Sequence, residues 1–166
     1  MDELLPFPND QAVLSPDGVA LARGVARLFH DVGYCALVEF PLGIGRRVDV
    51  AGIRRDGTVA IAEVKSSLAD FRADKKWTEY LDFCDVFYFA VPETFPRAVL
   101  PADSGLIIAD RFGGQVLRPA PSTPPSGAPL AAARRKALTL RFARAAAFRL
   151  SSAYDPSLPL IQDIEF

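Results

Sequence analysis

The segment from Arg46 to Lys65 limits most sharply what this chain can fold into. Val48 to Arg54 and Val59 to Lys65 are two nearly continuous apolar runs of strand length, with a turn signal at Asp56-Gly57 between them. Runs of that kind belong to strands covered on both faces, so the chain needs layers above and below a sheet. Each run nevertheless carries charge. Asp49 lies between Val48 and Val50, and Glu63 and Lys65 flank Val64. A buried ion costs several kcal/mol unless a partner compensates it.

Register decides whether these charges meet. Side chains alternate along a strand, so Glu63 and Lys65 share a face. A three-residue loop, Arg55-Asp56-Gly57 with Gly57 left-handed in a bulge, sets Asp49 directly opposite Glu63. A two-residue Asp56-Gly57 loop would pair Asp49 with Val64 on the wrong face. The three-residue loop is the expectation. Under it, Asp49 and Glu63 offer oxygen ligands to Mg²⁺ or Mn²⁺, with the Val64 carbonyl as a further ligand. Mg²⁺ keeps several waters and is held by one or two carboxylates plus substrate phosphate, which suits so sparse a set. Lys65 is placed to position or help deprotonate a water, or to stabilise charge on the phosphate. The competing reading is a salt-bridged Glu-Lys pair on an exposed strand. Glu-x-Lys alone is common; Asp49 at this spacing favours the site.

A chain of 166 residues, half of them hydrophobic, suits one globular domain with a sizeable core. The net charge of −1 neither supports nor excludes a polyanionic partner, but its distribution is uneven. Residues 1–40 carry six acids and two arginines, whereas residues 130–150 carry six basic residues and no acid, which suits one cationic face. Cys35 and Cys84 stand apart among apolar residues and read as reduced core thiols. The single His30, near a helix end, suits capping or packing rather than catalysis. The N-terminus lacks the basic region and apolar run of a signal peptide, and nothing approaches the ~20 apolar residues of a membrane span. These features predict a cytoplasmic protein with no membrane contact.

Residues 1–14 read as an irregular arm, and 15–118 as the core. Ser15 as N-cap and Pro16 at the first helical position open a helix whose apolar spacing runs to Gly33. Ala36 to Phe40 is a further strand. Ser67-Leu68-Ala69-Asp70 opens a second helix running to about Cys84. Trp77, Tyr80, Leu81 and Cys84 form its core stripe; Arg72, Lys75, Lys76 and Glu79 lie on another side. Trp77 and Tyr80 could stack on unpaired bases, but their spacing favours packing. Val86 to Val91 is an aromatic strand stopped by Pro92, and Gly105 to Asp110 with Gln115 to Leu117 forms a hairpin around Gly113-Gly114. Residues 119–129 hold five prolines and read as an extended, mobile linker. Residues 130–166 form a basic C-terminal helix, poorly amphipathic over Leu130 to Leu150, and a tail, packed on the core.

The order helix–strand–strand–strand–helix–strand, with Asp…Glu-x-Lys on adjacent strands, resembles the restriction-endonuclease-like PD-(D/E)xK superfamily. The closer likeness is to the MmcB-like bacterial DNA-repair proteins. It is carried by Gly45-Arg46-Arg47-Val48-Asp49-Val50, by Glu63-Val64-Lys65-Ser66-Ser67, by Asp70 through Trp77, by Glu79-Tyr80 and by Cys84 through Pro92. The resemblance implies an α/β restriction-endonuclease-like core, a mixed central sheet flanked by helices. It implies a metal-dependent nuclease acting on DNA in repair, in the cytoplasm and associated with the nucleoid, as a homodimer or with a repair-complex partner. Asp49 and Glu63 match the metal ligands and Lys65 the catalytic lysine. Many superfamily members add an acid from the first core helix; here that helix offers only Asp17 and Asp31 at its ends, so Glu39 is the substitute ligand.

On the nuclease reading, Arg46, Arg47, Arg72, Lys75 and Lys76 hold flanking phosphates, giving position and salt-dependent affinity rather than sequence specificity. Two rivals follow from the same residues. One is a non-catalytic DNA-binding or repair-scaffold module on the same fold. The other is an interaction domain whose Asp–Lys–Glu cluster is a buried ion network.

Overall fold

A computed structural model describes residues 14–158 of the chain, so the expected N-terminal arm lies almost wholly outside the described residues. Helix α1 (Pro16–Asp31) starts where expected, with the Ser15 hydroxyl accepting the Gly18 N–H at 3.1 Å. Past its end Gly33 adopts φ +90°, a conformation that favours glycine. His30 lies in the last helical turn with its side chain in solvent, and its carbonyl accepts the Gly33 N–H.

Six strands follow: β1 (Tyr34–Pro41), β2 (Arg47–Arg54), β3 (Val59–Val64), β4 (Val86–Val91), β5 (Gly105–Ala109) and β6 (Gly114–Arg118). They lie side by side in chain order as one mixed sheet. β3, β4 and β5 are mutually parallel, and the other pairings are antiparallel. The parallel joints fall where long connections carry the chain back to the same end of the sheet. Helix α1 covers one face, packing on Val50, Ala60, Ala62, Val64 and Ile107. The other face, with Ala51, Ile61, Phe87 and Phe89, lies under Tyr80 and Cys84 and under Leu138 and Ala145 of helix α3 (Ala132–Tyr154). Cover on both faces explains why β3 is buried along its whole length.

Two expectations need correction. The second helix does not run to Cys84: α2 spans Leu68–Ala73, Asp74 is extended (φ −91°, ψ 118°), and a separate 3₁₀ helix spans Trp77–Phe83. The Asp74 carboxylate takes the Lys76 N–H at 2.7 Å, an i to i+2 bond that replaces a helical turn. Arg72, Lys75, Lys76 and Glu79 therefore do not share one helix face. The core stripe does form, with Tyr80 and Cys84 buried and Trp77 packed on Phe87 and Phe89 at ring centroids 5.8 and 5.1 Å apart. The second correction is Cys35, which is exposed, because β1 is an edge strand and alternate side chains there face water.

Residues 119–131 contain no helix or strand, and a turn closes from Gly127 to Pro124. Helix α3 is fixed to the sheet by arginines. Arg135 makes a two-pronged pair with Asp85 at 2.7 and 2.8 Å and reaches the Gly57 carbonyl at 2.8 Å. Arg149 donates to the carbonyls of Val38 and Glu39. Leu138 fills the core between these ties.

Candidate functional site

The β2–β3 hairpin builds the site. Its ladder runs from Ile53–Val59 to Val50–Ala62, and Arg55-Asp56-Gly57 forms the loop, with Gly57 at φ +86° donating to the Arg54 carbonyl. That is the three-residue register, and one further step along it sets Asp49 opposite Glu63. The ladder stops there. In place of a backbone acceptor, Oδ2 of Asp49 takes the Val64 N–H at 2.8 Å. A residue's N–H and C=O leave a strand on the same side, so the Val64 carbonyl lies on the edge that Asp49 occupies.

Across β1–β2 the same logic places Glu39 opposite Asp49, between the pairs Val38–Val50 and Phe40–Val48. Glu39 departs from the strand, with a left-handed φ of 49°. Such a backbone costs a non-glycine residue about 1–2 kcal/mol. Its carboxylate lies 3.4 Å from Arg47, and Arg149 holds its carbonyl at 2.9 Å.

Glu63 is 5% exposed and Lys65 3% exposed, so both belong to the interior. Lys65 Nζ lies 3.4 Å from Oε1 of Glu63 and 2.6 Å from Oδ2 of Asp74. Among the described residues, Oε2 of Glu63 is buried with no hydrogen-bond partner. Burial, then the neighbouring Asp49 charge, push the Glu63 carboxyl well above the usual carboxylate range, and Lys65 only partly opposes them. Burial also raises Asp49, to about 6, against the Val64 N–H and Lys65. For Lys65, burial favours the neutral amine, but Glu63 and Asp74 outweigh it and hold the ammonium above the ordinary lysine range. Asp74 is held low: burial would raise it, but the bonds from Lys65 and Lys76 prevail.

These groups line a cleft of about 470 Å³. Glu39, Arg46, Arg47, Asp49, Asp70, Asp74 and Lys76 line it part-exposed, and Glu63 and Lys65 are its buried charged members. Arg46 makes a two-pronged pair with Glu79 at 2.9 and 3.2 Å. Arg72 and Lys75 are exposed and do not line the cleft. Thus Asp49, Glu63, Val64 and Lys65 come together, Arg46, Arg47, Lys76 and Glu39 surround them, and Arg72 and Lys75 stand apart. Among the described residues, no group of three or more histidines, cysteines and carboxylates is arranged to hold a metal ion.

Sequence reasoning missed Asp70 and Asp74. Asp70 accepts the Ser66 N–H at 3.0 Å and so fixes the chain just past Lys65. A signal existed: two aspartates four apart, directly after Glu-x-Lys, at the start of a helix that fails.

The architecture is a mixed α/β domain consistent with an α/β nuclease-like core, and a charged cleft opens where β2 and β3 part. The chain matches the profile described as DNA repair protein MmcB-like over residues 6–157, and it belongs to that family. It is similar to a solved structure, the SPO1766 protein of unknown function from Silicibacter pomeroyi. The two share 43% identity over 91% of this chain and 100% of that one, with a TM-score of 0.82. No curated protein matches. Among the described residues, no helix is long and apolar enough to cross a membrane.

Proposed function

We propose that this DNA-repair-family protein is a Mg²⁺- or Mn²⁺-dependent nuclease of PD-(D/E)xK type that hydrolyses phosphodiesters in DNA, in the cytoplasm at the nucleoid. One observation carries the reading: a buried glutamate oxygen, Oε2 of Glu63, has no hydrogen-bond partner while a second, part-buried carboxylate, Asp49, stands opposite it on the neighbouring strand. Two acids confined together are costly, and a divalent cation between them would remove both the repulsion and the orphaned acceptor.

Asp49 and Glu63 would hold the ion, with the Val64 carbonyl on the same strand edge. Glu39 would join them only by releasing Arg47. A bound divalent cation supplies charge to polarise a phosphate oxygen and acidify a water. Lys65, pinned by Asp74 and Glu63, orients the attacking water and offers its ammonium to the charge that grows on the phosphate. Arg46, Arg47 and Lys76, which line the cleft, would hold the strand. Arg72 and Lys75 would reach only phosphates lying beyond it.

The test is cleavage of supercoiled, nicked, flap and single-stranded DNA with Mg²⁺ or Mn²⁺. Activity lost in Asp49→Ala, Glu63→Ala and Lys65→Ala supports the reading; activity persisting in any of them refutes the assignment of that residue. A second reading, a DNA-binding repair module without catalysis, is favoured by the pairing of Arg46 and Arg47 with acids and by the tight Lys65–Asp74 contact. Calorimetric titration with Mn²⁺ separates the two, because only the nuclease needs the cation to bind.

A further inference from the structure

We infer that the corner between α1 and the β5–β6 turn is a second DNA-contact surface, where Phe112 stacks on an unpaired base beside arginine-held phosphates. It rests on DNA as the partner, not on cleavage at Asp49 and Glu63. Phe112 stands in the turn, 65% exposed, and belongs to the core of neither sheet face. The guanidinium of Arg111 lies over its ring, 4.6 Å from the centroid. Arg27 of α1 donates to its backbone carbonyl at 3.2 Å. Arg23, four residues before Arg27, is exposed on the same side of α1. Among the described residues, none of these three arginines is paired with a carboxylate. The adjacent acid, Asp110, is engaged by the turn, its Oδ1 accepting the Phe112 and Gly113 N–H groups at 2.7 and 3.1 Å. Cations gathered around an exposed ring without a counter-ion suit a polyanion that carries flat bases.

The surface lies at the same end of the sheet as the cleft. β3, β4 and β5 are parallel, with Val64, Ala90 and Ile107 level across them, so Lys65 and the turn after Ala109 leave the sheet together. Two strand spacings across and three residues along separate Lys65 from Arg111, roughly 15 Å. Helix α1 bridges the two places. Ser15 and Gly18 line the cleft, and Gly24 packs closely on the Asp110 and Gly113 carbonyls. A strand with one phosphate at Lys65 therefore meets Arg23, Arg27 and Arg111 farther along its backbone. Bases inside a duplex are stacked out of reach of Phe112, whereas an unpaired strand presents them. The substrate class is thus DNA with a single-stranded segment.

Fluorescence anisotropy of labelled oligothymidylate, alone or annealed to oligoadenylate, tests the surface without divalent cations and so apart from cleavage. Phe112→Ala should weaken single-strand binding about tenfold and leave duplex binding unchanged, and Phe112→Trp should restore it. Arg23→Gln with Arg111→Gln should lower the slope of log affinity against log salt for the single strand by about 1.4. All three residues are exposed, so the thermal midpoint should hold. Should Phe112→Ala unfold the chain, the arginine pair carries the test. Binding indifferent to both sets of changes overturns the inference, even where Mg²⁺-dependent cleavage is found. Equal loss of duplex and single-strand binding in Phe112→Ala overturns it too, as does absence of DNA binding at low salt. Single-strand binding that needs Phe112, in a chain that never cleaves DNA, sustains the surface and removes the nuclease reading.

Discussion

Lys65 Nζ sits 2.6 Å from Oδ2 of Asp74, so one buried ammonium ties the end of β3 to the residue that interrupts the following helix. The same carboxylate takes the Lys76 N–H, so the ion pair and the helix break are one structure. Helix propensity would carry α2 onward, but a charge-assisted bond to a buried lysine outweighs the last helical turn.

Removing the ammonium should therefore be costly. Lys65→Ala leaves the buried Glu63 and the part-buried Asp74 without their cation, and about 3–5 kcal/mol of unfolding free energy should be lost. Asp74→Asn keeps a weaker acceptor and should cost about 1–3 kcal/mol. Urea denaturation of the two variants measures both. Equal, small effects would mean that the pair is screened by water and does not shape the turn.

The opposite sign is expected for the acids. Asp49→Asn keeps an oxygen for the Val64 N–H but removes one of two crowded charges, so without divalent cations it should raise the thermal midpoint by about 2–4 °C. The variant should also lose the Mn²⁺-induced stabilisation expected of the wild type. A large fall in midpoint would identify the cluster as a self-sufficient ion network instead.

The pH dependence follows from the same crowding. The folded-state carboxyl of Asp49 is raised from 3.8 to about 6, so between these values the folded chain binds more protons than the unfolded one. Stability conferred by protonated Asp49 is then full below about pH 4 and lost as pH rises through 6. Glu63, raised further, extends the decline upward. Metal-free unfolding followed from pH 4 to 8 should show this slope, and Asp49→Asn should flatten its lower part.

Much of this site was legible because strand arithmetic is strict. One extra loop residue at Arg55 decides that Asp49 faces Glu63 rather than Val64, and the Asp-Gly turn signals that loop. The capped start of α1 and the aromatic strand β4 follow from equally local rules. What escaped was tertiary. Asp74 reads as one more helical residue until Lys65 is known to lie beside it. Glu39 reads as an ordinary strand residue, and nothing local announces its left-handed backbone. Cys35 reads as core because an edge strand and a central one share a pattern.

The contact of α1 with the β5–β6 turn is sensitive to a single methyl group. A Cβ on Gly24 would lie 1.8 Å from the Asp110 carbonyl oxygen and 2.6 Å from that of Gly113, both backbone atoms with little room to move. Gly24→Ala should raise helix propensity locally yet destabilise the fold by about 3 kcal/mol or more, because helix and hairpin must separate. Gly113→Ala, with nothing near its Cβ, is the matched control and should be close to neutral.

Asp85 connects three elements, accepting from Arg135 on α3 and from the Val59 N–H at the start of β3, while Arg135 also reaches Gly57 in the hairpin loop. Burial would raise its pKa, but Arg135 and the Val59 N–H prevail and hold it low, so its contribution is present at neutral pH and is lost on acidification. Arg135→Ala should cost roughly 1–2 kcal/mol, reduced because both partners are partly exposed. Hydrogen exchange should then quicken first at the Asp56–Thr58 turn and the N-terminal half of α3, ahead of β4 and β5. In a double-mutant cycle, Asp85→Asn should cost less once Arg135 is gone, with a coupling of about 1 kcal/mol. Strict additivity would show that the Arg135–Asp85 pair does not help hold α3.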